Sequence, residues 1–341
     1  MKKHLLAVAV ASAVAAPAMA QNVSMYGIFG MGSTTTNNSI GAADTTLLGN
    51  SGGAVSTNVF GLKVSEDLGG GMTVGLHFEG NLGDNGQLGN SNASNLADQS
   101  VFNRLANISV SKSGLGKLTV GRVGDLIDSH EGYANFVQLF DTEAADVEGL
   151  GNKNQETVRY DSEKLFGGLT IGIAESRDAR QPTTSGVSVE TDQKTFSYAA
   201  TWSQGPMTLG FATGTAGKAG GGTSTADAKI STMYVGYTFM GADIRVQQTD
   251  QSTETSGAGT KATEVGVKYG LGNGLTAYGH YEKSNNKEES NSDYKQWGVL
   301  LTKDLSKRTL VYVGFRDRDL AGAAASNTDV SVTTFGIQHS F

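Results

Sequence analysis

The sequence predicts an all-β chain: a 16-stranded antiparallel up-and-down transmembrane β-barrel. Three observations predict it. Short segments alternate apolar and polar residues with period two, the connections between them alternate between short and long, and no apolar run after residue 20 is long enough for a membrane helix. In Glu264-Val265-Gly266-Val267-Lys268-Tyr269, Val265, Val267 and Tyr269 share one face, and Glu264, Gly266 and Lys268 the other. In Val74-Gly75-Leu76-His77-Phe78-Glu79 the apolar face is Val74, Leu76 and Phe78. Helical spacing is absent from these runs, and glycine inside them would weaken a helix further.

The chain opens on a segment to be set aside. Met1-Lys2-Lys3 is basic, Leu5 to Ala16 is apolar, and Ala18-Met19-Ala20 is a small-x-small cleavage site, the layout of a secretory signal over residues 1–20. Cleavage after Ala20 leaves a single barrel domain, 21–341, and removing Lys2 and Lys3 moves the net charge from −7 to −9. An acidic exported chain is a poor nucleic-acid binder. With no Cys there is no disulfide framework to hold it, while 47 Gly and 3 Pro point to tight turns and close backbone contacts.

Sixteen candidate strands follow, near 22–33, 57–67, 72–82, 101–112, 116–124, 155–162, 168–178, 192–204, 206–215, 227–240, 242–252, 261–270, 275–285, 293–303, 308–317 and 329–341. Seven connections are turn-like, such as Asp67–Gly71, Gly205-Pro206 and Met240-Gly241; the other eight are longer and rich in Gly, Ser, Thr, Asn and Asp. Long and short alternate from first to last. An even-stranded barrel with turns at one rim and loops at the other requires this, and outer-membrane barrels have that layout. A β-sandwich seldom alternates its connections so regularly and needs a dry apolar interior. Tyr26, Phe60, Phe78, Trp202, Tyr237, Phe239, Tyr269 and Trp297 stand near strand ends, as interfacial aromatic girdles do. Sixteen strands enclose an aqueous channel, not a filled core.

The third long connection, 125–154, is unlike the rest. It carries Asp125, Asp128, Glu131, Asp141, Glu143, Asp146 and Glu148, the aromatics Tyr133, Phe136 and Phe140, and one base, Lys153, near its end. A loop this long within a regular domain is usually functional or disordered.

Several runs carry a resemblance. Val23-Ser24-Met25-Tyr26-Gly27 comes first, then Phe60-Gly61-Leu62-Lys63-Val64-Ser65-Glu66-Asp67-Leu68-Gly69-Gly70-Gly71, Phe102-Asn103-Arg104 and Leu118-Thr119-Val120-Gly121-Arg122. Val158-Arg159-Tyr160-Asp161-Ser162 and Phe335-Gly336-Ile337-Gln338-His339-Ser340-Phe341 complete the set. In this order they resemble the general-diffusion porins of Gram-negative outer membranes, closest to the neisserial and burkholderial branch. The resemblance implies a homotrimer in the outer-membrane lipid, passing inorganic ions and small hydrophilic solutes. Its third external loop would fold inward, making 125–154 a constriction loop. Arg104, Arg122 and Arg159, with Lys63 beside them, would form a basic cluster on the pore wall; Asp128, Asp141 and Glu143 would be the acids facing it. Phe341 would be the signal read by the barrel-assembly machinery. The chain departs from the family in having Val59 where a basic residue is usual and no Pro in 125–153. Simple alternation puts Arg159 on the lumen face with Thr157 and Asp161, but groups Arg104 with Ala106, Ile108 and Val110, and Arg122 with Leu118 and Val120.

Neither a metal nor a cofactor is expected. His4, His77, His130, His280 and His339 lack metal-ligand spacing, and no phosphate-binding glycine loop is present. Catalysis is not expected. The alternatives are a solute-selective channel, which needs an aromatic track in the lumen, or a barrel acting through its external loops as an adhesin or receptor. Local charge decides ion choice more than distant charge, since screening acts within about 8–10 Å at physiological salt. The acidic third loop favours a mild cation preference.

Overall fold

The computed structural model describes residues 22–38, 45–49, 54–83, 86–89, 100–140, 150–178, 181–182, 188–189, 193–217, 227–253, 259–287, 293–320 and 330–341. Sixteen long strands follow in chain order: β1 (Asn22–Asn38), β2 (Val59–Gly69), β3 (Met72–Asn81), β4 (Leu105–Lys112), β5 (Gly116–Gly124), β6 (Lys153–Asp161), β7 (Leu169–Asp178) and β8 (Gln193–Gln204) make one half. β9 (Met207–Ala216), β10 (Ala228–Phe239), β11 (Ala242–Thr253), β12 (Thr260–Gly272), β13 (Leu275–Asn286), β14 (Tyr294–Asp304), β15 (Thr309–Leu320) and β16 (Val330–Ser340) make the other. Each pairs antiparallel with the next, and β1 closes the ring by pairing on both sides. Its first half meets β2, from Asn22 opposite Ser65 to Ile28 opposite Val59; its second half meets β16, from Ile28 opposite Ser340 to Asn38 opposite Val330. A closed ring leaves no unpaired strand edge, which is what hydrocarbon demands of a spanning sheet.

The expected strands are all present, with two notable shifts. β1 runs on to Asn38, carried by its ladder with β16 and by the extra strand Thr45–Gly49, which lies against Gly32–Thr36. β4 starts only at Leu105 instead of near 101. Here the Asn103 side-chain oxygen accepts from the Asn81 N–H at 2.9 Å, and the chain bends before the ladder begins.

The two faces of the wall are those the alternation predicts. On β10, Met233, Val235, Tyr237 and Phe239 are exposed, while Ile230, Thr232 and Tyr234, on the opposite face, are buried. The buried class is full of polar groups, among them Thr157, Ser197, Gln247, Glu264 and Gln296. Apolar outside and polar inside is the reverse of a water-soluble core, and it suits lipid around the ring. Tyr237, Phe239, Tyr269 and Trp297 do face outward. Tyr26 does not belong to the girdle. Val23 and Met25 take the outer face of β1, so Tyr26 turns inward, where its hydroxyl donates to Glu79 Oε2 at 2.5 Å and lies 2.7 Å from His77 Nε2.

The seam is fastened by one buried side chain. Asn58 donates to Gly30 O at 2.9 Å and accepts from Gly30 N at 2.7 Å, where β1 passes from one partner strand to the other. At the far end Gly27 and Phe341 exchange backbone hydrogen bonds of 3.0 and 3.1 Å. Asn58→Ala is expected to lower the temperature at which the barrel loses its heat-modifiable gel mobility, since orphaned buried groups cost about 1–3 kcal/mol each.

Candidate functional site

Where β5 meets β6 the alternation breaks, and the site begins there. Gly121 has φ of 120° and Glu156 has φ of 51°, and the register slips between Gly121 and Val123. Such a bulge re-aims the side chains that follow. Val120 is exposed on the outer face, yet Arg122, two residues on, is half-buried and its guanidinium donates to Asn103 O. A Cβ on Gly121 would lie 2.5 Å from Ala106 O, so only glycine tolerates this position.

Arg104 escapes its outward neighbours for a different reason: it precedes β4. Its backbone N–H donates to Glu79 O, and its Nε pairs with Glu79 Oε1 at 2.7 Å. Glu79 shares its face of β3 with His77, opposite the apolar Leu76 and Phe78, so Arg104 lies on the lumen face. Lys63 is on that wall too, its ammonium 4.7 Å from the centre of the Tyr26 ring.

Arg159 shares the lumen face with buried Thr157, as alternation predicts. It binds Asp161 at 2.8 Å and also donates to Gly124 O, Asp125 O and Ser129 Oγ, so it holds the start of the third loop. The basic groups therefore differ in what they touch. Arg104 is engaged by Glu79 and Asn81 and Arg122 by the Asn103 carbonyl, whereas Arg159 is engaged at the loop base.

Residues 125–140 run against the polar face of the wall from β7 to β15. Leu126 packs on Gly172 and donates through its N–H to Ser197 Oγ at 3.1 Å. His130 Nδ1 donates to Leu126 O at 2.7 Å, leaving Nε2 to accept from Thr201 at 3.3 Å. Burial holds its pKa below the usual histidine value, with the Leu126 bond opposing and the Arg159 charge adding to the drop. Tyr133 stacks on Tyr234 at 3.9 Å. Gln247, fully buried on β11, accepts from Ala134 N at 3.0 Å and donates to His130 O at 3.2 Å. Arg245 donates to Tyr133 O and lies over the Phe136 ring, 4.1 Å from its centre. A 3-10 turn, Gln138–Phe140, completes the run: Gln296 donates to Phe140 O and Arg316 to Leu139 O. From the opposite side the first long connection meets it, with Gln138 N and Leu139 N donating to Val55 O and Ala54 O.

The loop base is a buried carboxylate. Asp125 accepts from Asp128 N at 2.8 Å and from Gly151 N at 3.0 Å, joining the two ends of the loop. Its pKa is pushed up to about 6, chiefly by desolvation, with the Asp128 amide opposing, the Asp128 charge adding and the Gly151 and Ile127 amides opposing. Asp128 pairs with Lys153 at 2.6 Å. Between this loop and the wall is a cavity of about 440 Å³, whose lining includes Arg104, Asp128, Glu131, Gln138, Lys153 and Ser56.

Of the expected loop acids, Asp128 thus shares a cavity with Arg104, while Asp141, Glu143 and the cleavage position Ala20 lie outside the described residues. Sequence reasoning missed Glu79, Arg245, Gln247 and Arg316. Arg245 and Gln247 were legible as polar residues alternating with Ile244 and Val246 on β11; their partners in the loop were not. Among the described residues no group of three or more His, Cys, Asp or Glu could hold a metal ion.

Comparison with known proteins places this geometry. A family model described as Gram-negative porin matches residues 7–323. Outer membrane porin protein 32 of Delftia acidovorans is 27% identical over 334 residues, covering 92% of this chain and 88% of that protein. An anion-selective porin from Comamonas acidovorans superposes with a TM-score of 0.77 at 22% identity, over 94% of this chain and 100% of that one. In vitro folded OmpT of Vibrio cholerae, an outer membrane protein solved in a trimer form, superposes with a TM-score of 0.62 at 15% identity, over 94% and 100%.

Proposed function

We propose that this chain, which belongs to the Gram-negative porin family and forms a passive-diffusion channel in the outer membrane, works as a homotrimer of pores, each narrowed by residues 125–154. The single observation that carries the narrowing is the course of residues 125–140, hydrogen-bonded to lumen-facing groups from Ser197 to Arg316. The passage is the cavity between that loop and Arg104, with Ser56 and Thr57 of the first long connection at its edge. Ions and small hydrophilic solutes cross it without catalysis. Charged and hydroxyl groups on all sides keep it hydrated, and opposed charges at a narrow section bias which solutes enter.

Three further parts of the reading stand with it. Residues 1–20 are removed after Ala20, the strand ending in Phe341 is read by the barrel-assembly machinery, and three barrels associate through their apolar outer faces. The trimer is supported by the trimer form of the Vibrio cholerae relative. The test is planar-bilayer recording of the purified assembly, with its mass measured in detergent. Stepwise conductance in multiples of three and a trimer mass are expected. Silence at all salts and voltages removes the pore, and a monomer mass removes the trimer.

A further inference from the structure

The cations that line the lumen are seldom alone. Arg104 has Glu79 at 2.7 Å, Lys153 has Asp128 at 2.6 Å, and Arg159 has Asp161 at 2.8 Å. Arg245 on the facing wall has Asp243, two residues away on the same side of β11, also at 2.8 Å. A guanidinium beside a carboxylate presents a dipole, whose potential falls faster with distance than that of a single charge. At these four positions a permeating ion therefore meets a nearly compensated charge.

The pairs are not equally placed. Arg159 is enclosed by Gly124, Asp125 and Ser129, and Arg245 lies over the Tyr133 and Phe136 rings. Arg104 instead lines the cavity between loop and wall. Its partner Glu79 is held in place from behind, because Tyr26 donates to the carboxylate oxygen that Arg104 Nε leaves free. A guanidinium is a fixed positive charge. How much of the Arg104 charge reaches the passing ion depends first on the carboxylate in contact with it, in a cavity that Asp128, Glu131 and Lys153 also line.

We propose that Glu79 is the residue that sets the ion preference of this pore: by compensating Arg104 it prevents anion selectivity and leaves a mild preference for cations. The proposal rests on the diffusion-channel reading above. Tyr26 is a positioning residue in this scheme, acting through Glu79.

The test is the reversal potential across a KCl gradient for the wild type and four variants. Glu79→Gln keeps the size and hydrogen-bonding capacity of the side chain and removes its charge. It is expected to raise the chloride-to-potassium permeability ratio about two- to threefold, the size expected of one unit charge several ångströms from an ion in partly screened water. Arg104→Gln should move the ratio the opposite way, and the double variant should return it close to the wild-type value. Glu175→Gln is the control. Glu175 forms the same kind of pair, with Arg177 at 3.2 Å, but both are exposed on the outer face with Ile171 and Ile173, so no shift is expected. Glu79→Gln channels that conduct with an unchanged reversal potential overturn the proposal, as does an equal shift in Glu175→Gln. A wild-type protein that does not conduct overturns the channel reading itself, and the proposal with it.

Discussion

Gly266→Val is expected to lower the single-channel conductance and to destabilise the loop's seat. Gly266 lies on the lumen face of β12, directly beneath the third loop. A Cβ built there would stand 1.9 Å from Ala134 O and 3.3 Å from the Phe136 ring. The backbone at Ala134 has little freedom to yield, because Gln247 holds its N–H and Arg245 the preceding carbonyl of Tyr133. Reaching an ordinary 3.4 Å contact requires the loop to move off the wall by about 1.5 Å. The only free direction is inward, across the passage. Overpacking of this kind costs about 1–3 kcal/mol, so lower resistance to heat should accompany the lower conductance. Gly279→Val is the matched control: it sits on the neighbouring strand β13 with nothing within 4 Å. Equal conductance in wild type and Gly266→Val would mean that residues 133–136 do not border the route of ions.

The same geometry accounts for a composition that the sequence left half explained. Glycine within strands reads as loss of helix and as close backbone approach, but the thing that approaches is not visible from one strand at a time. On the wall it is the third loop, which meets Gly172 with Leu126, Gly236 with Tyr133, Gly298 with Phe140 and Gly314 with Leu139. Each of these glycines stands on the polar face of a strand, where a channel wall could have carried a bulky polar residue. Glycines on the polar face of several strands were a legible signal for something seated inside the ring. Strand number, order and facing were legible because period-two patterning and connection length depend on local sequence alone. The lumen position of Arg104 and Arg122 was not. It depends on a bend that ends the β3–β4 ladder at Leu105 and on a bulge after the Gly121–Thr157 pair, where Glu156 turns left-handed, both products of pairing between strands. Glu79 was overlooked for the opposite reason: as one acid in an ordinary alternating strand, it gained importance only through Arg104 and Tyr26.

The base of the loop is expected to tighten as the medium becomes mildly acidic. Asp125 is fully buried, and its folded-state pKa of about 6 lies above the 3.8 of a free aspartate. The loop-closed state therefore keeps a proton between roughly pH 4 and 6 that the open state has released. Its contribution is favourable below that window and is lost as the pH rises through about 6, where closure must bury a charge. A shift of this size corresponds to about 3 kcal/mol between the two ends of the window. Other parts of the fold respond to pH as well, so the quantity to measure is the difference from Asp125→Asn. Asparagine cannot titrate, and its oxygen can still accept from one of the two amides. Hydrogen exchange at the amides of Asp128 and Gly151, corrected for the intrinsic pH dependence, reads closure of the base directly. Protection in the wild type should rise relative to Asp125→Asn on going from pH 7 to pH 5. A difference that stays flat, or that grows towards alkaline pH, would show that the Asp125 carboxylate is not desolvated by closure of the loop. The two amides it accepts would then be held by a carboxylate charged throughout.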